Sequence, residues 1–227
     1  MGYIRKIKHL FARPIQFDQI SVEPLHRDFG YHRGTPIDRY YIESFLKLHA
    51  DVIRGVSLEI GESTYSKVLG HDIEKCEILH YDNSNKQATI IGDLTKAETL
   101  PSNSIDCFIC TQTYNFIYDL QKAIEGSYQV LKPQGVLLGT VAGLTQISRY
   151  DMDRWGDYWR FTDRSIKKLL EEVFGQGNVE VQVYGNVFAA TALLKGVVCE
   201  DIENLQVLNH KDADYQVTIG FKAIKNV

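Results

Sequence analysis

Apolar residues return every three or four positions between Ile37 and Val52, where Tyr40, Tyr41, Phe45 and Leu48 complete one face of PIDRYYIESFLKLHADVI. That spacing predicts an amphipathic helix, with Pro36 suited to its first turn and Gly55 to its stop. The period then changes. VSLEIG (56–61), CEILHYD (76–82), ATIIGD (88–93), IDCFICTQ (105–112) and VLLGTV (136–141) are short apolar runs bounded by turn residues, and they predict five strands. Helical spacing returns over 117–131, where Leu120, Ile124, Tyr128 and Leu131 share a face that ends at Lys132-Pro133-Gln134-Gly135. It returns again over 163–174, with Ile166, Leu169, Leu170 and Val173 as the stripe. NVEVQVYG (178–185) and YQVTIGFKAI (215–224) alternate apolar with polar and predict two more strands, while 187–207 reads as helical and 143–160 is polar and aromatic with little period.

Strands that alternate with helices predict an α/β fold, doubly wound, with seven strands in a mostly parallel sheet and helices on both faces. The cleaner alternation of the last two strands predicts an antiparallel end to that sheet, the last strand running against the others. No repeat or linker divides the 227 residues. The expected organisation is one domain over 1–227, with an N-terminal extension over 1–35, an insertion over 143–162 and a helical insertion over 187–210.

Composition narrows the function classes. There are 25 Lys and Arg against 29 Asp and Glu, a net charge of −4, which argues against a nucleic-acid binder. The longest apolar stretch, VFAATALL (187–194), is far short of the ~20 residues that span a bilayer. The N-terminus carries Arg5, Lys6, Lys8 and Arg13 beside an apolar set of Ile4, Ile7, Leu10 and Phe11. That pattern suits a short helix packed on the domain, with peripheral membrane contact as the other reading. Gly2 invites myristoylation, but Lys6 stands where Ser or Thr is wanted. Cys107 and Cys110 form a C-x-x-C inside a predicted strand. Positions three apart on a strand face opposite sides, so the thiols diverge and read as buried small hydrophobes rather than as metal ligands. Nothing in the cysteine pattern asks for an oxidising compartment, and a cytoplasmic location is expected.

In an open parallel sheet, ligands collect beyond the carboxyl ends of the strands. Those ends carry Glu59 and Gly61, Asp82, Asp93, and Thr111 with Gln112. With LEIG (58–61), Asp82, GDL (92–94), LPSNSIDCFICTQT (100–113), FIYD (116–119) and LKPQGVLLGTV (131–141) in this order, the chain resembles the class I S-adenosylmethionine-dependent methyltransferases. The resemblance covers about residues 55–141 and implies a Rossmann-like fold. It implies S-adenosylmethionine as cofactor and methyl transfer as the activity. One departure stands out: the first loop runs Glu59-Ile60-Gly61-Glu62-Ser63-Thr64-Tyr65, keeping only the first glycine of the usual Gly-rich pattern. Glu62 suits a cationic, phosphate-free cofactor better than a pyrophosphate. The 83–87 stretch is too short for a helix and is expected to be a bare loop.

Carried over residue by residue, the resemblance puts Glu59 and Gly61 on the methionine and ribose side, Glu59 in an indirect or water-mediated role. Asp82 would accept from the ribose hydroxyls. Asp93 would accept from the adenine amino group, with the Leu94 backbone nearby. Thr111 and Gln112 would lie along the methionine, and Arg39 and Tyr40 would close over the cofactor.

The segment GLTQISRYDMDRWGDYWRFT (143–162) should cover the mouth of that site. DYWRFT resembles a stretch found in methyltransferases encoded near glycosyltransferases. Trp155, Tyr158 and Trp159 offer flat faces for a sugar or aromatic acceptor, and Arg149, Arg154 and Arg160 suit a carboxylate or phosphate. The bland reading is an amphipathic lid that closes the core. Candidate general bases are His32, Asp151, Asp153 and Asp157, and no catalytic metal is expected. The functional reading is methyl transfer to a small-molecule or sugar acceptor, at oxygen. The alternative, prompted by the eroded glycine loop, is a catalytically silent relative that serves as a binding or partner protein.

Overall fold

The computed structural model describes residues 21–226. The expectations placed on 1–20, namely the basic amphipathic segment, its membrane contact and Gly2, lie outside them. Seven strands form one sheet: β1 (Gly55–Ile60), β2 (Ile73–His80), β3 (Ile90–Ile91), β4 (Ile105–Thr111), β5 (Leu131–Ala142), β6 (Val179–Tyr184) and β7 (Thr218–Ile224). Their order is β3-β2-β1-β4-β5-β7-β6. β1 through β5 pair in parallel, and β7 runs antiparallel to both of its neighbours, β5 and β6. The predicted seven-stranded, mostly parallel sheet is therefore present. The last strand, however, is inserted one place in from the edge, which β6 occupies.

Among the described residues six α-helices accompany the sheet: α1 (Ile37–Leu48), α2 (Thr64–Leu69), α3 (Leu120–Val130), α4 (Arg149–Met152), α5 (Asp163–Phe174) and α6 (Val187–Lys195). α1, α3 and α5 follow the predicted stripes. α2 was not predicted, because TYSKVL is a single short run without a repeated period. The predicted helix over 187–207 stops at Lys195, where Gly196 takes a left-handed φ of +73°. A Cβ at Gly196 would stand 2.6 Å from the His26 carbonyl oxygen, so glycine lets residues 21–30 lie against this corner. The 81–89 connection is a loop, as its length required.

Two apolar layers cover the sheet. α3 and α5 bury Leu120, Ala123, Ile124, Ile166, Leu170 and Phe174 on one face, against Leu58, Phe108, Leu137 and Phe221. α1 and α6 bury Ile37, Tyr41, Phe45, Ala189 and Leu193 on the other, against Ile109, Leu138 and Val217. Cys110 belongs to the first layer and Cys107 to the second, so the two thiols do diverge. Burial pushes the Cys110 thiol up to about 12, which keeps it protonated and inert. Among the described residues no helix is long and apolar enough to cross a membrane.

α5 begins with a reciprocal cap. The Thr162 hydroxyl accepts from Ser165 N, and the Ser165 hydroxyl accepts from Thr162 N at 3.0 Å. Thr162→Ala removes one half of this box and should lower the unfolding free energy by about 1 kcal/mol, measured by urea denaturation.

Candidate active site

All the strand ends that matter meet on one edge of the sheet. β1 and β4 are neighbours that leave toward opposite sides, and the crevice between them is where an open α/β sheet binds ligands. Because β7 runs backwards, its first residue, Thr218, reaches the same edge as the ends of β4 and β5. A list confined to carboxyl ends of strands misses Thr218 for that reason.

At the β4 end lies a cavity of about 770 Å³, lined by three parts of the chain; Glu59, Gly61, Asp82, Asp93 and Leu94 are not among its lining residues. The floor comes from Thr111, Gln112, Ala142 and Thr218. One wall comes from Asp28, Phe29, Tyr31, Asp38 and Arg39, and the opposite wall from Gln146, Ser148, Arg149, Asp151, Asp157 and Arg160. The volume lies within the ~300–1,000 Å³ typical of small-molecule sites.

On the β1 side, the buried Glu59 accepts from the backbone amides of Tyr65 at 3.1 Å and Ser66 at 2.7 Å. These first-turn amides of α2 are the groups a bound phosphate would need. Glu59 occupies them, so the loop is closed to a pyrophosphate. Burial raises the Glu59 pKa above the ordinary range, opposed by the Ser66 and Tyr65 hydrogen bonds. Gly61, at φ +76°, has open space where a Cβ would stand, and its carbonyl accepts from Asn85 Nδ2. Backbone at this point can approach a ligand closely.

Asp82 stands two residues beyond β2 with its carboxylate half-exposed. Hydrogen bonds from the Ser84 hydroxyl and amide hold its pKa below the usual carboxylate range, helped by His80 at 3.2 Å. Asp93 follows β3. Partial burial would raise its pKa, but the Thr95 amide at 2.9 Å, the Thr95 hydroxyl at 2.8 Å and Lys96 together hold it low. Both carboxylates are therefore charged across the neutral range. Leu94 is buried in the core, and its carbonyl presses against α3 at Gly126.

At the end of β4, one relay of hydrogen bonds sets the chemistry of the floor. Asn115 Oδ1 accepts from Ala142 N at 3.2 Å, so its Nδ2 must be the donor to Gln112 Oε1 at 3.1 Å. The Gln112 amide is thereby oriented with Nε2 free, and that nitrogen is buried without a partner. Gln112 also holds a left-handed φ of +48°, a conformation that costs a non-glycine residue roughly 1–3 kcal/mol. Thr218 Oγ1 is likewise buried and unpartnered. Unsatisfied polar atoms and backbone strain thus coincide on the cavity floor, which is the signature of a surface shaped for a ligand.

The remaining predicted residues divide. Thr111, Arg39, His32, Arg149, Asp151, Asp157 and Arg160 line the cavity; Tyr40, Asp153, Trp155, Tyr158 and Trp159 are not among its lining residues. Tyr40 turns away and donates to Asn209. Arg39 spans Tyr65 and Tyr31, with both hydroxyls accepting, and so ties α1 to α2 and to the N-terminal wall. His32 is exposed and pairs with Asp28 at 3.1 Å. Asp157 is buried under two Arg160 contacts, of 2.5 and 2.8 Å, and the Ser148 amide. Asp151 accepts from Ser148 and from Trp155 Nε1. Asp153 pairs with Arg149 in solvent, and Arg154 lies 3.4 Å above the Tyr150 ring. Trp159 stacks on Tyr118 and donates to the Ile117 carbonyl, and Tyr158 meets the same Tyr118 edge-on. Tyr158 and Trp159 therefore fasten the 143–162 segment to the 114–118 turn, while Trp155 bonds within the segment to Asp151.

Sequence reasoning missed Asp38, Asn115, Thr218 and the 26–31 wall. Asp38 reads as an ordinary first-turn acid, and the wall is brought in by contacts some 165 residues away. Thr35 donates to Glu200 twice at 2.8 Å, Pro36 bridges Val198, and Arg33 pairs with Asp201.

Residues 54–139 match the methyltransferase-domain family. The strand order, the acid-bearing strand ends and this match agree. Over that stretch, less than half of the chain, the sequence is similar to a methyltransferase domain. No curated protein matches the sequence. Among solved structures, an S-adenosylmethionine-dependent methyltransferase from Archaeoglobus fulgidus is similar in fold. It is 12% identical at a TM-score of 0.53, over 82% of this chain and 94% of that one. A Haemonchus contortus phosphoethanolamine N-methyltransferase is 15% identical at 0.52, over 83% of this chain and 53% of that one. A Bordetella parapertussis protein is 12% identical at 0.54, over 99% and 79%. The residues at this edge of the sheet are compatible with S-adenosylmethionine. Ionised Asp82 and Asp93 would offer acceptors to its ribose hydroxyls and adenine amine, and open space at Gly61 would leave room for it.

Asn115→Ala leaves Ala142 N and the Gln112 amide without partners. It should lower the unfolding free energy by about 2 kcal/mol in urea titrations, the cost of buried groups left unsatisfied. A loss below about 0.5 kcal/mol would mean that the relay is not holding the floor.

Proposed function

We propose that the chain transfers a methyl group from S-adenosylmethionine to a hydroxyl of a small polar molecule, a sugar or polyol being the favoured class. The observation that carries this reading is the state of the cavity's charges. Arg160 is held by Asp157, Arg149 pairs with Asp153 and Arg154 lies over the Tyr150 ring, so the arginines expected to hold a phosphate or carboxylate are already engaged. What stays open on the floor is a neutral amide N–H and a hydroxyl, at Gln112 and Thr218. Those groups suit a neutral, hydroxyl-bearing acceptor. The resemblance of DYWRFT to a stretch found in methyltransferases encoded near glycosyltransferases supports the same class.

S-adenosylmethionine, when bound, supplies an electrophilic methyl on a sulfonium. The chain's own part is to bind, align and exclude water. Asp82 and Asp93 would hold the adenosine, Gly61 would let backbone lie along it, and Glu59 keeps α2 in place behind the loop. The lid over 143–162, pinned through Tyr118 and Asn115, would keep water from the reacting groups. Alignment of this kind is worth up to roughly 7–11 kcal/mol of a barrier. The one-domain organisation, with 143–162 as the acceptor-side lid, belongs to the same proposal.

Calorimetry with S-adenosylmethionine, followed by a screen for S-adenosylhomocysteine release with sugars, polyols, phenols and amines, tests the reading. Asp93→Ala should weaken cofactor binding by about 1–3 kcal/mol. Because Asp82 and Asp93 both titrate below the usual range, cofactor affinity should stay flat from about pH 8 down to about pH 5 and fall only below that. No binding at millimolar cofactor would sink the proposal, and binding without turnover on any acceptor would favour a silent relative.

A further inference from the structure

We propose that Asp38 is the group that takes the proton from the methyl acceptor, an inference that rests on the methyltransferase reading above. Four aspartates line the cavity, and two of them, Asp151 and Asp157, are hydrogen-bonded through both oxygens. Asp28 Oδ1 accepts from the Gly30 amide at 3.2 Å, and its Oδ2, without a hydrogen-bond partner, stands 3.1 Å from the exposed His32 ring. Asp151 caps the lid turn through Ser148 and Trp155, and Asp157 is enclosed by Arg160 and the Ser148 amide. Asp38 differs. Its Oδ1 accepts only from the neighbouring Arg39 amide at 2.8 Å, and among the described residues its Oδ2 has no hydrogen-bond partner and no ion pair. The guanidinium of the adjacent Arg39 is hydrogen-bonded to Tyr31 and Tyr65 and acts on Asp38 only through its field, and the carboxylate lines the cavity without an ion pair among the described residues.

The position suits the task. α1 enters at the wall beside Thr111 and Gln112, and Asp38 is the second residue of that helix, fixed by the packing of Ile37, Tyr41 and Ile42. A rigid helix holds a base better than a lid loop does. Burial pushes the Asp38 pKa above the ordinary carboxylate range, against the pull of the Arg39 amide and guanidinium, which brings it closer to neutrality and makes it a better base. The step balances. The acceptor oxygen lone pair forms the new bond to the methyl carbon, the carbon–sulfur bond breaks with its electrons going to sulfur, and the hydroxyl proton passes to Asp38 Oδ2. Sulfonium and carboxylate are consumed together, leaving neutral thioether and neutral acid.

The full chain and its Asp38→Asn variant are compared in three measurements. Calorimetry with S-adenosylmethionine should give dissociation constants within about threefold of each other. Thermal unfolding at pH 7.5 should give an equal or higher midpoint for Asp38→Asn, because a carboxylate without a partner is replaced by a neutral amide of the same shape. With any hydroxyl acceptor that the wild type methylates, kcat should fall by about 100-fold or more while KM for the cofactor holds. A midpoint lowered by more than about 5 °C would make Asp38 a structural residue and overturn the proposal. So would a kcat within threefold of wild type. A wild type that fails to bind S-adenosylmethionine would refute the methyltransferase reading itself, whatever the variant does.

Discussion

Asn115 is the point at which sheet, site and lid are joined. Its side-chain oxygen takes the last free amide of β5, at Ala142, and its side-chain nitrogen fixes the Gln112 amide. Its backbone carbonyl takes two lid amides, Tyr158 N at 2.9 Å and Trp159 N at 3.2 Å. The residue is buried, so none of these partners can exchange it for water without cost. The direction of each hydrogen bond follows from the first one. A backbone amide can only donate, so the Asn115 oxygen must face β5 and its NH2 must face Gln112. The polarity presented by the cavity floor is thus set by the end of a strand on the far side of that asparagine.

The reversed direction of β7 has a comparable reach. Had the last strand been parallel, its Thr218 end would sit at the opposite edge of the sheet, among the strand beginnings. Antiparallel pairing with both β5 and β6 puts Thr218 opposite Ala142 and Tyr184 and brings an unpartnered hydroxyl to the cavity. Glu59 works in the other direction on the same edge. By filling the first-turn amides of α2 with a carboxylate of the chain itself, it makes the loop unfit for a phosphate and compatible with a cation nearby. The lost glycines of that loop matter less than a comparison of motifs suggests, since Gly61 is the residue whose vacant side faces open space.

The cavity walls come from segments that a reader of the sequence would set aside as an extension and an insertion. Residues 21–36 are held against 195–201 by the Leu25 amide to the Lys195 carbonyl, the Cys199 amide to the Thr35 carbonyl, and the paired Thr35–Glu200 hydrogen bonds. Each partner is weak alone, and several are exposed. Their effect is positional: they lay Asp28, Phe29 and Tyr31 beside the N-terminal turn of α1 and complete the wall around Asp38.

The chain by itself determined the period-3.6 and period-2 segments, and with them seven strands, the main helices and a mostly parallel sheet. Burial on one or both faces writes directly into hydrophobic spacing, which is why these elements were legible. The strand-end residues Gly61, Asp82, Asp93, Thr111 and Gln112 were legible for a related reason: in a parallel sheet the carboxyl ends share one edge, so their place in the fold follows from their place along the chain. α2 was too short to show a period, and the helix after Asn186 ended at a glycine whose left-handed turn answers to His26, not to its own neighbours. Only tertiary structure decided which charged side chains remain available. Whether Arg160 holds a ligand or Asp157, and whether Asp38 is a cap or a free carboxylate, depends on partners distant in sequence. Pairing energy is set by separation in space and by burial, and neither is encoded in the identity of a residue or its local spacing.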